Sequence, residues 1–206
     1  MHFHTLIPVG IALLAAYLLG SLPFAIIVSR FFGLADPRHF GSKNPGATNV
    51  LRTGNKLAAF LTLLGDALKG TLAVFLARQY FLPVEDMAIG LVALAVFFGH
   101  QYPIFLKFKG GKGVATAAGI LLALDWGLGL MVIGTWLITA YIFRYSSLAA
   151  LMAAFLAPFY VVMSAGINGK ALLVGIISLA LIGKHWVNIG RLLAGQEEKI
   201  GASKSH

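Results

Sequence analysis

Lys107-Phe-Lys-Gly-Gly-Lys-Gly-Val-Ala-Thr116 sets a glycine-rich, cationic loop between two apolar runs too long for an ordinary soluble core. Glycines let backbone N–H groups turn into one concavity, lysines add positive charge, and a helix beginning near Val114 aims its positive dipole end at the same spot. The stretch reads as an anion site beside a membrane. Its plain alternative is a cytoplasmic anchor that merely follows the bias of lysine and arginine toward the cytoplasmic face.

Composition points to the same class. Of 206 residues, 59% are hydrophobic and 11% charged, and the mean hydropathy is +0.86. This describes an all-α, polytopic integral membrane bundle, with residues 1–206 as one membrane-embedded domain. The formal charge of +9 sits at the ends of apolar runs and not along a stripe, so it speaks for membrane topology and against nucleic acid. With no cysteine, disulfides, thiolate metal sites and an acyl-cysteine intermediate are excluded. Met1-His-Phe-His-Thr5 has neither a basic n-region nor a small-residue cleavage pattern, so the first apolar run is expected to stay as a helix.

Hydropathy predicts helices near 6–32, 57–78, 87–106, 114–124, 126–144, 148–164 and 170–187, about seven spans, or six if the short 114–124 run is re-entrant. With the N-terminus outside, Arg30, Arg38, Lys43, Arg52, Lys56, Lys107, Lys109, Lys112, Arg144, Lys184, Arg191, Lys199 and Lys204 all become cytoplasmic. Arg78 and Lys170 stay outside with Glu85, Asp86 and Asp125, and Lys69 falls within a span. Seven spans return the C-terminus to the cytoplasm.

This topology gathers three polar segments at one face. In Gly41-Ser-Lys-Asn-Pro-Gly-Ala-Thr-Asn-Val-Leu-Arg52, Ser42, Thr48 and Asn49 offer short hydrogen-bonding groups and Arg52 can grip a phosphate with two N–H groups. A hydrophilic loop with a helix cap at Thr48 or Asn49 is the plain alternative. The second segment, Gly99 to Thr116, is not a nucleotide P-loop, because Leu106 and Gly113 stand where that motif needs glycine and a hydroxyl residue. His100 reads as a helix-end residue bonded to backbone, and Tyr102 and Phe105 as an interfacial belt.

In the third segment, Lys184 to Lys199, His185 and Asn188 lie three apart and share a face of a continuing helix, where they can hold and polarise a hydroxyl. An amphipathic interfacial helix anchored by Trp186 is the alternative. Ser146 or Ser147 would cap the helix that follows and, with its N-terminus, present a further anion site, capping alone being the plainer role. Asp66 and Lys69, three apart within a span, are expected to pair with each other or with a neighbouring helix. Glycines inside spans, such as Gly127, Gly129, Gly134 and Gly175, read as points of close helix packing.

Taken in order, Gly41–Arg52, Gly99-His…Pro103…Phe-Lys-Gly-Gly-Lys-Gly-Val-Ala-Thr116 and Asn188-Ile-Gly-Arg-Leu…Gly195-Gln-Glu-Glu-Lys199 resemble the motifs of the bacterial acyl-phosphate:glycerol-3-phosphate acyltransferase family, known as PlsY. Asp66-Ala-Leu-Lys-Gly70 is similar too. One departure is Lys43, where the family usually has glycine, which leaves the backbone path beside Ser42 open.

The resemblance implies a seven-helix enzyme of the bacterial inner membrane, with its site on the cytoplasmic face and no metal or other cofactor. It would transfer an acyl group from acyl phosphate to the first hydroxyl of glycerol 3-phosphate, for phospholipid synthesis. On that reading Arg52, Ser42 and Lys112 serve the glycerol phosphate, Ser42 counting also among the catalytic residues, and Thr48, Asn49, Ser146 and Ser147 are further substrate-binding residues. The N–H groups of Gly110, Gly111 and Gly113 serve the acyl phosphate. His185 and Asn188 stand at the reacting centre, with Glu197 orienting one of the cations. None of the six histidines is followed five positions later by aspartate, the signature of the other glycerolipid acyltransferase class. A small-anion transporter is the competing class, but it would bind at the midplane between repeated halves, whereas these clusters lie at one face.

Overall fold

The computed structural model describes residues 3–81 and 86–201, so Glu85 and Lys204, which enter the charge asymmetry, lie outside it. All regular structure among the described residues is helical. Ten α-helices run as α1 (Phe3–Gly20), α2 (Phe24–Phe31), α3 (Ala47–Leu51), α4 (Lys56–Phe81), α5 (Asp86–Gln101), α6 (Val114–Leu124), α7 (Trp126–Phe143), α8 (Ser146–Ala165), α9 (Gly169–Lys184) and α10 (Trp186–Leu193).

Three expected boundaries are corrected, each at a point that matters for the site. The single helix expected over 6–32 bends by 42° between α1 and α2, where Pro23 has no N–H to continue the ladder. The run expected over 87–106 leaves α-helix after Gln101, because Pro103 steers Tyr102 toward an extended backbone. A short 3₁₀ turn, Ile104–Leu106, and left-handed Lys107 and Phe108 (φ 52° and 62°) then reverse the chain into the glycine loop. The run expected over 170–187 breaks at His185, and α10 leaves α9 at 59°.

Among the described residues, four helices are long and apolar enough to cross a membrane, and each bent pair counted as one span raises this to six, with α6 as a shorter apolar helix beside them. At 11 residues, α6 is about 16 Å long, against a hydrocarbon core of about 30 Å. It lies close on α4: a Cβ on Gly70 would come within 2.5 Å of the Thr116 carbonyl oxygen, and one on Gly119 would overlap the Ala67 carbonyl. The buried core where α4, α5 and α6 meet is built on Val74, Val96, Phe97 and Ile120. Leu63, Phe75, Ile138 and Phe155 point outward, as a lipid-facing surface requires. Of the in-span glycines named above, Gly129 packs tightly on Leu122, while Gly134 and Gly175 have open space. The tight crossing of α1 and α5 instead uses Gly20 and Gly99, each against a carbonyl of the other helix.

Candidate active site

The first polar segment folds around Asn49, which is buried. Its Oδ1 accepts from the Ser42 N–H at 3.0 Å and from Arg52 Nη1 at 3.1 Å, while Nδ2 donates to the carbonyls of Pro37 at 2.6 Å and Phe40 at 3.1 Å. All its polar capacity goes to holding Ser42 and Arg52 in place. Lys43 follows Ser42 with φ 56°, so the unusual lysine keeps the left-handed turn that a glycine would make without strain. Gly46, without a side-chain bond, stands at the cap of α3, so neither Thr48 nor Asn49 is the cap. Thr48 Oγ1 instead lies 3.0 Å from Ser146 Oγ at the start of α8. Tyr145, not Ser146 or Ser147, is the N-cap residue there, with no side-chain bond, and the buried Ser147 Oγ has no partner.

The glycine loop is stapled to the end of α5. Gly110 N–H donates to the Gln101 carbonyl and Gly111 N–H to the His100 carbonyl, both at 3.2 Å, and Gln101 Nε2 donates to the Lys112 carbonyl at 3.0 Å. These two glycine N–H groups are therefore committed within the chain, whereas the first-turn N–H groups of α6 that follow have no intrahelical carbonyl to reach. Gly113, at φ 88°, turns the chain into that helix, and a Cβ there would press within 2.6 Å of the Phe97 ring. Gln101 is fully buried and also accepts from Lys184 Nζ at 3.0 Å through its carbonyl. Sequence reading gave it no role, since its neighbours in space are 11 and 83 positions away.

The third segment closes the arrangement. The bend at His185 swings α10 so that Lys112 Nζ donates to Asn188 Oδ1 at 2.5 Å, and Asn188 Nδ2 donates to Glu197 Oε1 at 2.7 Å. Glu197 Oε2 is buried without a partner. Next to it, Glu198 Oε2 stands 2.9 Å from Arg52 Nη2, a contact sequence reading did not anticipate. The tail continues to Arg144, whose carbonyl accepts from the Ile200 N–H at 2.6 Å. Burial pushes the Lys112 ammonium down to about 8, opposed by Glu197 and helped by Arg191 and Arg52.

His185 is buried, with Nδ1 2.8 Å from the Leu181 carbonyl. A carbonyl only accepts, so the proton sits on Nδ1 and Nε2 keeps its lone pair. The helix expected to run straight through His185 and Asn188 bends at His185: Asn188 binds Lys112 and Glu197, while His185 Nδ1 is tied to the α9 backbone. His100 differs too, its Nδ1 lying 3.4 Å from Asp66 Oδ1 in place of a backbone partner, and Asp66 pairs with Lys69 at 2.8 Å. Below the glycine loop an apolar cleft opens between α6, α7, α8 and α9, lined by Val114, Leu121, Val132, Ala153, Val174 and Leu181.

The patch thus joins Arg52, Lys112, Asn188 and the Glu197–Glu198 pair from three distant segments, with His185 one turn from the cleft residue Leu181. A family model described as glycerol-3-phosphate acyltransferase matches residues 10–195. A glycerol-3-phosphate acyltransferase of Dechloromonas aromatica is 67% identical over 95% of this chain and 98% of its own length. One of Ralstonia nicotianae is 59% identical over 97% and 98%. A crystal structure of PlsY, an integral membrane glycerol 3-phosphate acyltransferase, in its glycerol 3-phosphate form superposes with a TM-score of 0.89 at 34% identity, over 94% of this chain and 96% of that one. Its lysophosphatidic acid form superposes with a TM-score of 0.86. With the family match running over nearly the whole chain and relatives this similar, the chain belongs to the glycerol-3-phosphate acyltransferase family.

Proposed function

We propose that the patch around Arg52, Lys112, His185 and Asn188 is where this membrane enzyme transfers an acyl group to the first hydroxyl of glycerol 3-phosphate, forming lysophosphatidic acid, and that the acyl donor is an acyl phosphate. The observation that carries the site is the pairing of both cations with groups of the chain that a substrate phosphate can displace: Arg52 with Glu198 and Lys112 with Asn188. Arg52 and Lys112 take the glycerol phosphate, with Ser42, Thr48, Ser146 and Ser147 around it. Asn49 serves by holding Ser42 and Arg52.

The donor's phosphate faces the start of α6, where Gly113 admits it and the free first-turn N–H groups supply donors. Gly110 and Gly111 serve this end by shaping the loop, since their own N–H groups are committed. The acyl tail runs toward the apolar side chains between α6 and α9, which must part to admit it, and burial of a hydrocarbon chain favours that.

Chemically the task is light, because an acyl phosphate is an activated mixed anhydride. The hydroxyl oxygen attacks the acyl carbon, the tetrahedral oxyanion collapses, and the bond from carbon to the phosphate oxygen breaks. The hydroxyl proton leaves with the phosphate. His185 Nε2 receives the hydroxyl's hydrogen bond and sets its line of attack, and Glu197 holds Asn188 toward Lys112. Purified protein given acyl phosphate and glycerol 3-phosphate is expected to release phosphate and lysophosphatidic acid in equal amounts, and acyl-CoA is expected not to replace the donor. Turnover with acyl-CoA alone would overturn the donor assignment.

We further propose that the patch faces the cytoplasm across the bacterial inner membrane, with the N-terminus outside, seven spans counting α6, and the chain acting as one domain. The distribution of lysine and arginine supports this orientation. In a chain without cysteine, Lys109→Cys gives a single thiol, and an impermeant reagent should label it in inverted vesicles and not in intact cells. The opposite pattern would refute the orientation.

The position of Lys112 also sets a pH dependence. Its ammonium, held at about 8 in the unliganded site, is charged below that value and loses its proton above it. A phosphate monoester is already dianionic over this range, its second pKa being about 6. The apparent KM for glycerol 3-phosphate is therefore expected to rise several-fold between about pH 7 and about pH 9. Lys112→Arg, which keeps its charge, should flatten that rise even if its KM is higher throughout. An equal rise in both enzymes would remove Lys112 from the phosphate contact.

A further inference from the structure

Behind the glycine loop lies a second set of ionisable groups that the mechanism above leaves unused. Asp66, Lys69 and His100 are 4%, 3% and 8% exposed, on the α4 and α5 helices of a membrane bundle. Burying three such groups is costly, and well-packed apolar side chains of similar size would hold two helices together at least as well. Their geometry suggests what the cost supports.

Lys69 Nζ is 2.8 Å from Asp66 Oδ1 and donates at 3.0 Å to the Leu22 carbonyl at the α1–α2 break, which also accepts from the Phe24 N–H at 3.2 Å. His100 Nδ1 lies 3.4 Å from the same carboxylate oxygen. The far edge of the imidazole faces the glycine loop so closely that a Cβ on Gly111 would overlap Nε2. From Gly111 the chain passes to Lys112, whose carbonyl is held by Gln101 and whose ammonium reaches Asn188. A cleft beside this contact is lined by Ser21, Pro45, Asp66, Lys69, His100 and Gly111, so the first polar segment meets the second here as well. The links run unbroken from the α1–α2 bend to Lys112.

We infer that Asp66, Lys69 and His100 are positioning residues, with the His100 ring as a wedge that sets the height of Gly111 and so the place of the Lys112 ammonium in the site. This rests on the acyltransferase reading. The ring fits only a bare glycine backbone on one side and needs the carboxylate on the other. The ion pair fixes the wedge, and the loop transmits its position. The cluster acts through the loop and makes no contact with substrate.

A size exchange tests it. His100→Ala is expected to raise the KM for glycerol 3-phosphate about tenfold, and Gly111→Ala to lower kcat/KM by at least as much, since a misplacement of about 1 Å can cost up to a hundredfold. Combined, the two should be better than the product of the single defects, because the new methyl group occupies space the ring has left. A double variant no better than that product overturns the wedge.

An apolar pair, Asp66→Leu with Lys69→Met, should keep its thermal midpoint and show the raised KM. A fully active pair variant overturns the inference, as does one that fails to fold while His100→Ala is fully active. Wild-type turnover in the same assay separates these outcomes from failure of the acyltransferase reading. Independently of activity, Lys112→Cys and Asn188→Cys can be bridged by a short bis-methanethiosulfonate, each thiolate forming a disulfide and releasing methanesulfinate, and adding His100→Ala should slow the bridging about threefold or more. An unchanged rate would show that His100 does not set the position of residue 112.

Discussion

His185→Ala is expected to lower kcat by on the order of a hundredfold or more while changing the KM for glycerol 3-phosphate little, the usual range for a group that directs a proton in the transition state. The reason is the hydrogen bond at the bend. Nδ1 is tied to the Leu181 carbonyl at 2.8 Å, so the ring has one orientation and one tautomer, and Nε2 is the atom left to face a hydroxyl. Alanine removes that acceptor. It also leaves the Leu181 carbonyl without this partner, at a cost of about 1–3 kcal/mol in stability, so thermal midpoints must accompany the rates. His185→Asn keeps an acceptor in roughly the same place and should recover part of the turnover. Strong rescue supports positioning, with the departing phosphate as the final proton acceptor. A folded alanine variant with normal turnover would take His185 out of the reaction.

How far the sequence disclosed this site differs from segment to segment. The helical membrane class follows from the apolar runs, and the three polar segments are visible because short hydroxyl, amide and glycine residues interrupt those runs. The α1–α2 bend has a readable cause in Pro23, yet hydropathy averages across three residues and passes over it. The bend at His185 has only a weak local cause: Gly183 disfavours a helix by about 1 kcal/mol, while Lys184 and Trp186 are compatible with a continuing one. That bend nevertheless decides the chemistry, since it sets the direction in which α10 carries Asn188 to Lys112, 76 positions away. Contacts of that range are set by how helices pack, which no local pattern encodes. The glycines show the same limit. Gly70 and Gly134 both sit within apolar helices, but one presses on the α6 backbone and the other meets open space.

The charge pairs at the patch lead to opposite predictions for two residues in direct contact. Arg52→Ala should raise the KM for glycerol 3-phosphate about tenfold to a hundredfold, because a charge-assisted hydrogen bond contributes about 1.5–3 kcal/mol. It also deprives Asn49 Oδ1 of one donor, which loosens the loop around Ser42. Glu198→Gln should act the other way. In the unliganded chain its carboxylate holds Arg52 at 2.9 Å, with 26% of the arginine side chain and 45% of the glutamate side chain exposed. A pair so open to solvent contributes at most about 1 kcal/mol, so its loss should lower KM by about twofold to fivefold, a smaller change of opposite sign. Were Arg52 only a structural partner of the tail, both substitutions would break the same contact and shift KM in the same direction. A lower KM in Glu198→Gln beside a higher one in Arg52→Ala identifies the arginine as the phosphate's own ligand, with Glu198 holding its place until substrate arrives.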